Sequence, residues 1–276
     1  MAILEAPKFS GGLGAKIVRT FGELLITAGL VVLLFVVYEL YVTDLFSAKK
    51  QASATMTLNG DWARGRQPHP ELIDGKAFAK LYIPSFGADY HFTIQEGAEA
   101  AALEVGPGHY KGTALPGEPG NFAVAGHRVG KGAPFNDLDL LSSCDAIVVE
   151  TQTDFFVYRV LPPSDEIANW STGKGAQPQC SHVGTLRTKA ADGGPYGETY
   201  GREIVSPNEG DVVAPVPHKP LDILPPAQQV ALLTLTTCHP QFSDRQRLIV
   251  HAVLTNQFPK TADATYVQLL QAIGEA

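Results

Sequence analysis

The hydrophobic residues divide the chain into one long apolar segment and a larger part with short alternating runs. Residues 21–42 read FGELLITAGLVVLLFVVYELYV, and 22 residues span about 33 Å as a helix, enough to cross a bilayer core of ~30 Å. The middle, residues 24–37, has no charged residue, and Tyr38 and Tyr41 suit the membrane–water interface. We therefore predict a transmembrane helix at 21–42. A cleaved signal peptide and a buried core helix are the alternatives.

After this segment the pattern predicts an all-β domain. Residues 43–75 are polar, contain Gly and Pro, and are predicted to be a linker with some helix. From residue 76 to 259, short apolar or alternating runs are separated by Gly and Pro turns, which is typical of strands in a barrel or a sandwich. These runs are AKLYIPSFG, YHFTIQEG, NFAVAGH, DAIVVETQTDFFVYRV, GDVVAPVP, VALLTLTT and RLIVHAVL. Residues 170–202 are rich in Gly, Ser and Thr, lack strand periodicity and are too long for a hairpin turn, so they are predicted to be a surface loop. The spacing of apolar residues in 260–276 predicts a short helix in the C-terminal tail.

The net charge limits the kinds of partner that the protein can bind, and the charges beside the apolar segment indicate its orientation in the membrane. The 276 residues carry a formal charge of −7 and a pI near 5.6, so there is no basic field for binding nucleic acid. Three basic residues precede the apolar segment and two follow it closely: Lys8, Lys16 and Arg19, then Lys49 and Lys50. This weak bias favours a cytoplasmic tail at 1–20 and a single-pass anchor with the β domain outside the cell.

The three cysteines point to one candidate nucleophile. Cys144, Cys180 and Cys238 are too few and too scattered for a paired zinc site, and at most one disulfide can form. Cys238 directly follows the strand-like run VALLTLTT. A cysteine nucleophile needs a proton partner and a donor for the developing oxyanion. His127 ends another strand-like run, and Arg247 begins the run after Cys238, so a hairpin would place Cys238 and Arg247 side by side.

Other polar residues carry weaker hypotheses. His109, His239 and His251 lack ligand spacing, so we predict neither a metal site nor a cofactor. The pair Asp61-Trp62 is assigned to the linker helix.

The motifs around these residues resemble one known family. TLTTC at 234–238, an arginine on the next strand, and NFAVAGH upstream resemble the sortase signature. LYIPSFGADY, EVGPGHYKGTALPGEPGNFAVAGHR, GAPFNDLDLL, APVP, LTLTTCHPQFSDRQRLIVHAVL and the membrane-adjacent VVYELYVT resemble class E sortases of high-GC Gram-positive bacteria. The resemblance covers most of 76–254 and the anchor.

The resemblance implies a fold and an activity. Sortases are membrane-anchored cysteine transpeptidases with a closed eight-stranded β-barrel. They cut a sorting signal of a secreted protein between Thr and Gly, through a thioacyl enzyme, and pass the protein to an amine that is typically on lipid II. Class E is associated with an LAxTG signal in place of LPxTG. By correspondence Cys238 is the nucleophile, His127 the general acid, and Arg247 the oxyanion-stabilising residue.

The resemblance also suggests secondary roles. Tyr110 is a candidate for the signal pocket, or else packs on the barrel. Thr237 could contact substrate, or is an ordinary strand residue, and Asn121 could orient the loop before His127. In this family pattern residues 170–202 are an insertion, and outside the membrane Cys144 and Cys180 could form a disulfide. Because thiols ordinarily titrate near pH ~8.5 and imidazoles near ~6.5, we expect a slow enzyme with a bell-shaped pH profile.

Several rival functions have weaker support. An L,D-transpeptidase would need a Ser-x-Gly-Cys type turn, which residues 235–238 do not supply. A papain-like hydrolase would place its cysteine before its histidine. An exported, non-catalytic binding module and a pilin-polymerising sortase remain the alternatives.

Overall fold

The N-terminal part of the molecule is a long helix interrupted by one π-helical turn. The computed structural model describes residues 12–65, 72–261 and 265–276. Helix α1 spans Leu13–Val37, the π-helical turn spans Tyr38–Val42, and helix α2 spans Thr43–Arg64. None of the residues of α1 is buried, and its apolar composition and length suit a membrane span. The helix begins eight residues before the predicted segment. Part of the predicted tail, 1–11, and part of the predicted linker, 66–71, lie outside the described residues.

Helix α2 lies in the segment predicted as a linker with some helix, and it packs against the barrel. Its Leu58 is only 3% exposed. The Gln51 side chain accepts hydrogen bonds from the backbone N–H and hydroxyl of Thr93, at 2.9 and 2.8 Å, and donates to its carbonyl at 3.1 Å. Trp62 lies in α2, as predicted, and its ring faces the ammonium groups of Lys80 and Lys260 at 4.7 and 4.4 Å. The polar composition that suggested a linker is therefore the exposed side of a docked helix.

In the described part of the chain nine strands form one sheet, and eight of them close a barrel. The strands are Ala77–Tyr82 (β1), His91–Glu96 (β2), Gly108–His109 (β3), Gly120–Ala125 (β4), Ala146–Glu150 (β5), Asp154–Val160 (β6), Arg202–Val205 (β7), Ala231–His239 (β8) and Gln246–Pro259 (β9). Their order is β6-β5-β1-β2-β3-β4-β8-β9, and β6 also pairs with β9 to close the ring. Strand β7 adds to the N-terminal part of β9. The predicted closed eight-stranded barrel is confirmed.

The barrel interior is built from alternate residues of these strands. Phe122 and Val124 of β4, Leu233 and Leu235 of β8, and Val250 of β9 all belong to the central apolar cluster. The residues between them therefore point outward, because strand side chains alternate between faces. This alternation places the candidate site on the outer face of β4, β8 and β9.

One predicted strand is wrong. The run GDVVAPVP does not form a strand; its first part is the 3₁₀ helix Gly210–Val213. Pro215 and Pro217 follow, and proline cannot donate to a strand ladder. Val212 and Val216 are nevertheless buried, since the segment packs on the outer face of the sheet.

The segment predicted as a surface loop packs on the barrel through a second apolar cluster. Trp170 and Cys180 are buried in a second apolar cluster with Leu161 and Tyr196. Cys180 forms a disulfide with Cys144. The segment contains two of the short 3₁₀ helices, and a third ends just before it. The 3₁₀ helices in the described residues are Pro84–Phe86, Leu138–Leu140, Ile167–Asn169, Lys174–Ala176, Pro178–Cys180, Gly210–Val213 and Pro226–Gln228.

Two short α-helices complete the fold. Helix α3 is Ala100–Leu103. The predicted C-terminal helix is confirmed as α4, Tyr266–Ile273, which starts with a capping box between Thr265 and Gln268. Its Leu269 is buried against the outer face of β5 and β6.

Candidate active site

Cys238 and Arg247 lie directly opposite each other in the β8–β9 hairpin. The antiparallel register pairs them, as their spacing predicts. Directly opposed residues share a face of the sheet, so both side chains leave the barrel on its outer side. Arg247 uses Nη1 to donate to the carbonyls of Asp244 and Gln246, at 2.7 and 3.0 Å. These bonds tie the guanidinium to the loop that joins the two strands.

His127 lies on the other side of Cys238. Strand β4 runs parallel to β8, and the last pair in register is Ala125 with Thr236. The contact continues beyond it: the Gly126 N–H donates to the Thr236 carbonyl at 3.0 Å, and the Thr237 hydroxyl donates to the Gly126 carbonyl at 2.8 Å. His127 and Cys238 are each two residues past the last pair. They are therefore level with each other and on the same face.

A shallow groove of about 290 Å³ brings the two side chains together at the surface. Its lining includes His127, Cys238, Phe242 and Asp244. Cys238 is the free thiol and is partly exposed. The sheet thus places Cys238 opposite Arg247 in the β8–β9 register and beside His127 in the groove, on a rigid mount. Arg247 itself is not part of the groove lining, because its guanidinium is bonded to the Asp244 and Gln246 carbonyls.

The surroundings of His127 disfavour its charged form. Burial lowers the pKa of His127 below its ordinary value; the Lys131 ammonium lowers it further, and the Glu104 carboxylate opposes this. Its Nε2 atom is buried and has no hydrogen-bond partner among the described residues. At neutral pH the imidazole is therefore mainly neutral.

Arg128 contacts the backbone at Cys238, and sequence reasoning missed it. Its side chain is 4% exposed and pairs with Asp139 at 2.9 Å. Its Nη1 lies 2.8 Å from His239 Nδ1 and 3.5 Å from the Cys238 carbonyl. A guanidinium only donates, so His239 Nδ1 accepts and its proton is on Nε2. The signal in the sequence was only the adjacency of Arg128 to His127.

The weaker candidates take different positions. The Tyr110 hydroxyl lies 2.9 Å from the Thr236 hydroxyl. Thr236 shares the face of Cys238, so Tyr110 is beside the groove. Thr237 is 3% exposed and its hydroxyl is bonded to Gly126, so it stabilises the β4–β8 contact.

The remaining histidines that the sequence singled out make buried contacts. His109 Nδ1 pairs with Glu96 at 2.7 Å. His251 Nε2 lies 3.0 Å from the Glu203 carboxylate, which also contacts His218 at 2.8 Å. The spacing of residues along the chain could not reveal the group formed by Glu203, His218 and His251, because these residues come from three separate segments.

A closed barrel with a cysteine between histidine and arginine is an arrangement suited to acyl transfer through a thioester. Comparison with known proteins agrees with this class. A sortase-domain family model matches residues 81–255. Sortase SrtE1 of Streptomyces coelicolor is 32% identical over 90% of this chain, and the match spans 60% of that relative's length. Sortase SrtE2 of the same organism is 34% identical over 64% of this chain and 78% of its own length.

A solved structure is similar in fold and sequence. The SrtF sortase from Corynebacterium diphtheriae superposes with a TM-score of 0.61 at 44% identity, over 74% of this chain and 98% of that one. The chain belongs to the sortase family, whose members are cysteine transpeptidases. The two curated relatives support the class E assignment made from the motifs.

Proposed function

We propose that this protein is a transpeptidase that cuts an LAxTG- or LPxTG-type sorting signal between Thr and Gly. The observation that carries the proposal is the position of Cys238, opposite Arg247 in the β8–β9 hairpin and in the same groove as His127, which follows the end of β4. The substrates are secreted proteins with such a signal near the C-terminus. The acceptor is an amine of a cell-wall precursor such as lipid II.

The chemistry follows from the three side chains. The Cys238 thiolate adds to the threonine carbonyl, and Arg247 stabilises the oxyanion through its positive charge and N–H groups. The His127 imidazolium protonates the glycine nitrogen as the C–N bond breaks, which leaves a thioester on Cys238. The incoming amine then attacks the thioester and gives its proton to His127, and the thiolate is released. Because the pKa of His127 is lowered, the imidazolium is a minority form, and we expect slow turnover.

Tyr110 and Thr237 are the two candidates for recognition of the signal, and they are assigned different roles. Tyr110 lies beside the groove and carries a phenol that can contact the second residue of the signal. Thr237 was a candidate for direct contact through its hydroxyl. Its bond to Gly126 favours a positioning role, in which it keeps the strand ends of His127 and Cys238 level.

The site faces the outside of the cell in this proposal. Helix α1 anchors the chain as a single pass, with residues 1–20 in the cytoplasm and the barrel beyond the membrane. The disulfide between Cys144 and Cys180 supports this orientation, since disulfides persist in oxidising compartments.

Mass spectrometry of the full chain in detergent tests the activity. The protein is mixed with an LAxTG or an LPxTG peptide, then with an added amine. We expect an acyl adduct on Cys238, cut after threonine, and its transfer to the amine. Cys238→Ala must lose the adduct and His127→Ala the turnover, whereas His182→Ala, which changes an exposed histidine, must retain both. The absence of any adduct with either peptide would refute this assignment and favour a binding module.

A further inference from the structure

Three potential metal ligands meet on the outer face of the sheet, away from the groove. Glu203 lies on β7, His218 follows the 3₁₀ helix Gly210–Val213, and His251 lies on β9. Glu203 Oε1 is 2.8 Å from His218 Nε2 and 3.0 Å from His251 Nε2. The three ligand atoms all lie within 4.8 Å of one another. The group thus has the donor types, two imidazole nitrogens and one carboxylate oxygen, that zinc-type ions prefer.

A chain of hydrogen bonds fixes which nitrogen of His251 faces this group. Asn121 Nδ2 donates to the Ala214 carbonyl at 3.0 Å, so its Oδ1 is left to accept from the Thr234 hydroxyl at 2.7 Å. With its proton committed, Thr234 must accept from His251 Nδ1–H, at 2.7 Å. In the neutral ring the Nε2 lone pair therefore points at the Glu203 carboxylate. Two acceptors this close need a cation between them, either a proton or a metal ion.

The hydrogen-bond chain has the form of an outer shell around a metal ligand. A histidine that binds a metal usually donates its other N–H to an oxygen, which sets the ring orientation. His251, Thr234 and Asn121 are all at most 1% exposed, so these three side chains are shielded from solvent. His218 is partly exposed, which leaves a route from solvent.

We propose that Glu203, His218 and His251 bind a divalent transition-metal ion of the Zn²⁺ type. The ligands would be Nε2 of both histidines and a carboxylate oxygen of Glu203. Tetrahedral donors with bonds of ~2.0 Å are ~3.3 Å apart. The two Glu203 pairs, at 2.8 and 3.0 Å, need to open by a few tenths of an ångström, and the two histidine Nε2 atoms, which lie within 4.8 Å of each other, need to approach to the same distance. Water would take the fourth position, reaching it past the partly exposed His218 side chain.

The metal would act as a structural clamp. Thr234 and Cys238 are on the same face of β8 but four residues apart, which is about 14 Å along a strand. The ion is therefore outside the catalytic groove. It would tie β7 and the segment that carries His218 to β9, the strand that also carries Arg247.

Cobalt titration tests the site. The full chain, untagged and in detergent, carries Cys238→Ala so that the thiol cannot bind metal. We expect one Co²⁺ per chain, with the intense visible absorption of a tetrahedral ion, and its displacement by one equivalent of Zn²⁺. His218→Gln and Glu203→Gln should each weaken Co²⁺ binding at least tenfold, whereas His182→Gln, at an exposed histidine, should not.

Folding is checked on the same samples. Each variant must keep the circular dichroism spectrum of the parent, and two independent ligand variants guard against a local folding defect. If the parent shows no tetrahedral Co²⁺ spectrum, or if both ligand variants bind Co²⁺ as tightly as the parent, the proposal is wrong.

Discussion

The disulfide should contribute a large share of the stability of the barrel and its attached segment. Cys144 and Cys180 are 36 residues apart and each is 1% exposed. For a closed loop of that length, the lost entropy of the unfolded chain is about 13 cal/mol/K, or about 4 kcal/mol at 25 °C. The double variant Cys144→Ala/Cys180→Ala should lose this amount. For a domain of about 190 residues, that is a fall in Tm of about 8–16 °C.

The assay can follow the segment itself. Trp170 packs in the same apolar cluster as the disulfide, so its fluorescence, recorded in a Trp62→Phe background, reports the unfolding of this region. Under denaturing conditions the parent chain should show one reactive thiol before reduction and three after it, because only Cys238 is free. Cys238→Ala is the matched control and should unfold at the parent temperature. A double variant whose Tm lies within about 1 °C of the parent would refute the loop-entropy reasoning.

Two further predictions concern His127 and the loop that follows it. Lys131→Gln should raise the pKa of His127 and Glu104→Gln should lower it, because the first removes a cation and the second removes an anion near the ring. NMR titration of the imidazole signal, assigned by comparison with His127→Asn, measures both pKa changes. Changes of the same sign in the two variants would contradict the electrostatic explanation. Asp44→Ala should reduce kcat about fivefold with little change in KM, because it removes the carboxylate that accepts a 2.8 Å hydrogen bond from the Gly132 N–H of this loop, a bond of about 1 kcal/mol. Steady-state kinetics measures this effect, with Thr57→Ala, an exposed change in the same helix, as the control. An equal loss of kcat in both variants would argue against a specific contact.

The candidate site was only partly predictable from the chain. Cys238 and Arg247 are nine residues apart and belong to neighbouring runs of strand pattern, so hairpin geometry alone places them side by side. His127 is more than a hundred residues away. Its place beside Cys238 depends on the parallel pairing of β4 with β8, which no local pattern encodes. The role of His127 could be predicted before the structure because the motif that contains it resembles a known family motif.

Local periodicity accounts for what was read correctly: the apolar N-terminal helix, most of the barrel strands and the short C-terminal helix. These features depend on contacts within a few residues or on a hairpin. The tertiary structure decided the rest, because long-range contacts depend on how the barrel closes and on where each connection docks. It packs α2 on the barrel through Gln51, joins Cys144 to Cys180, and brings Glu203, His218 and His251 within reach of one ion.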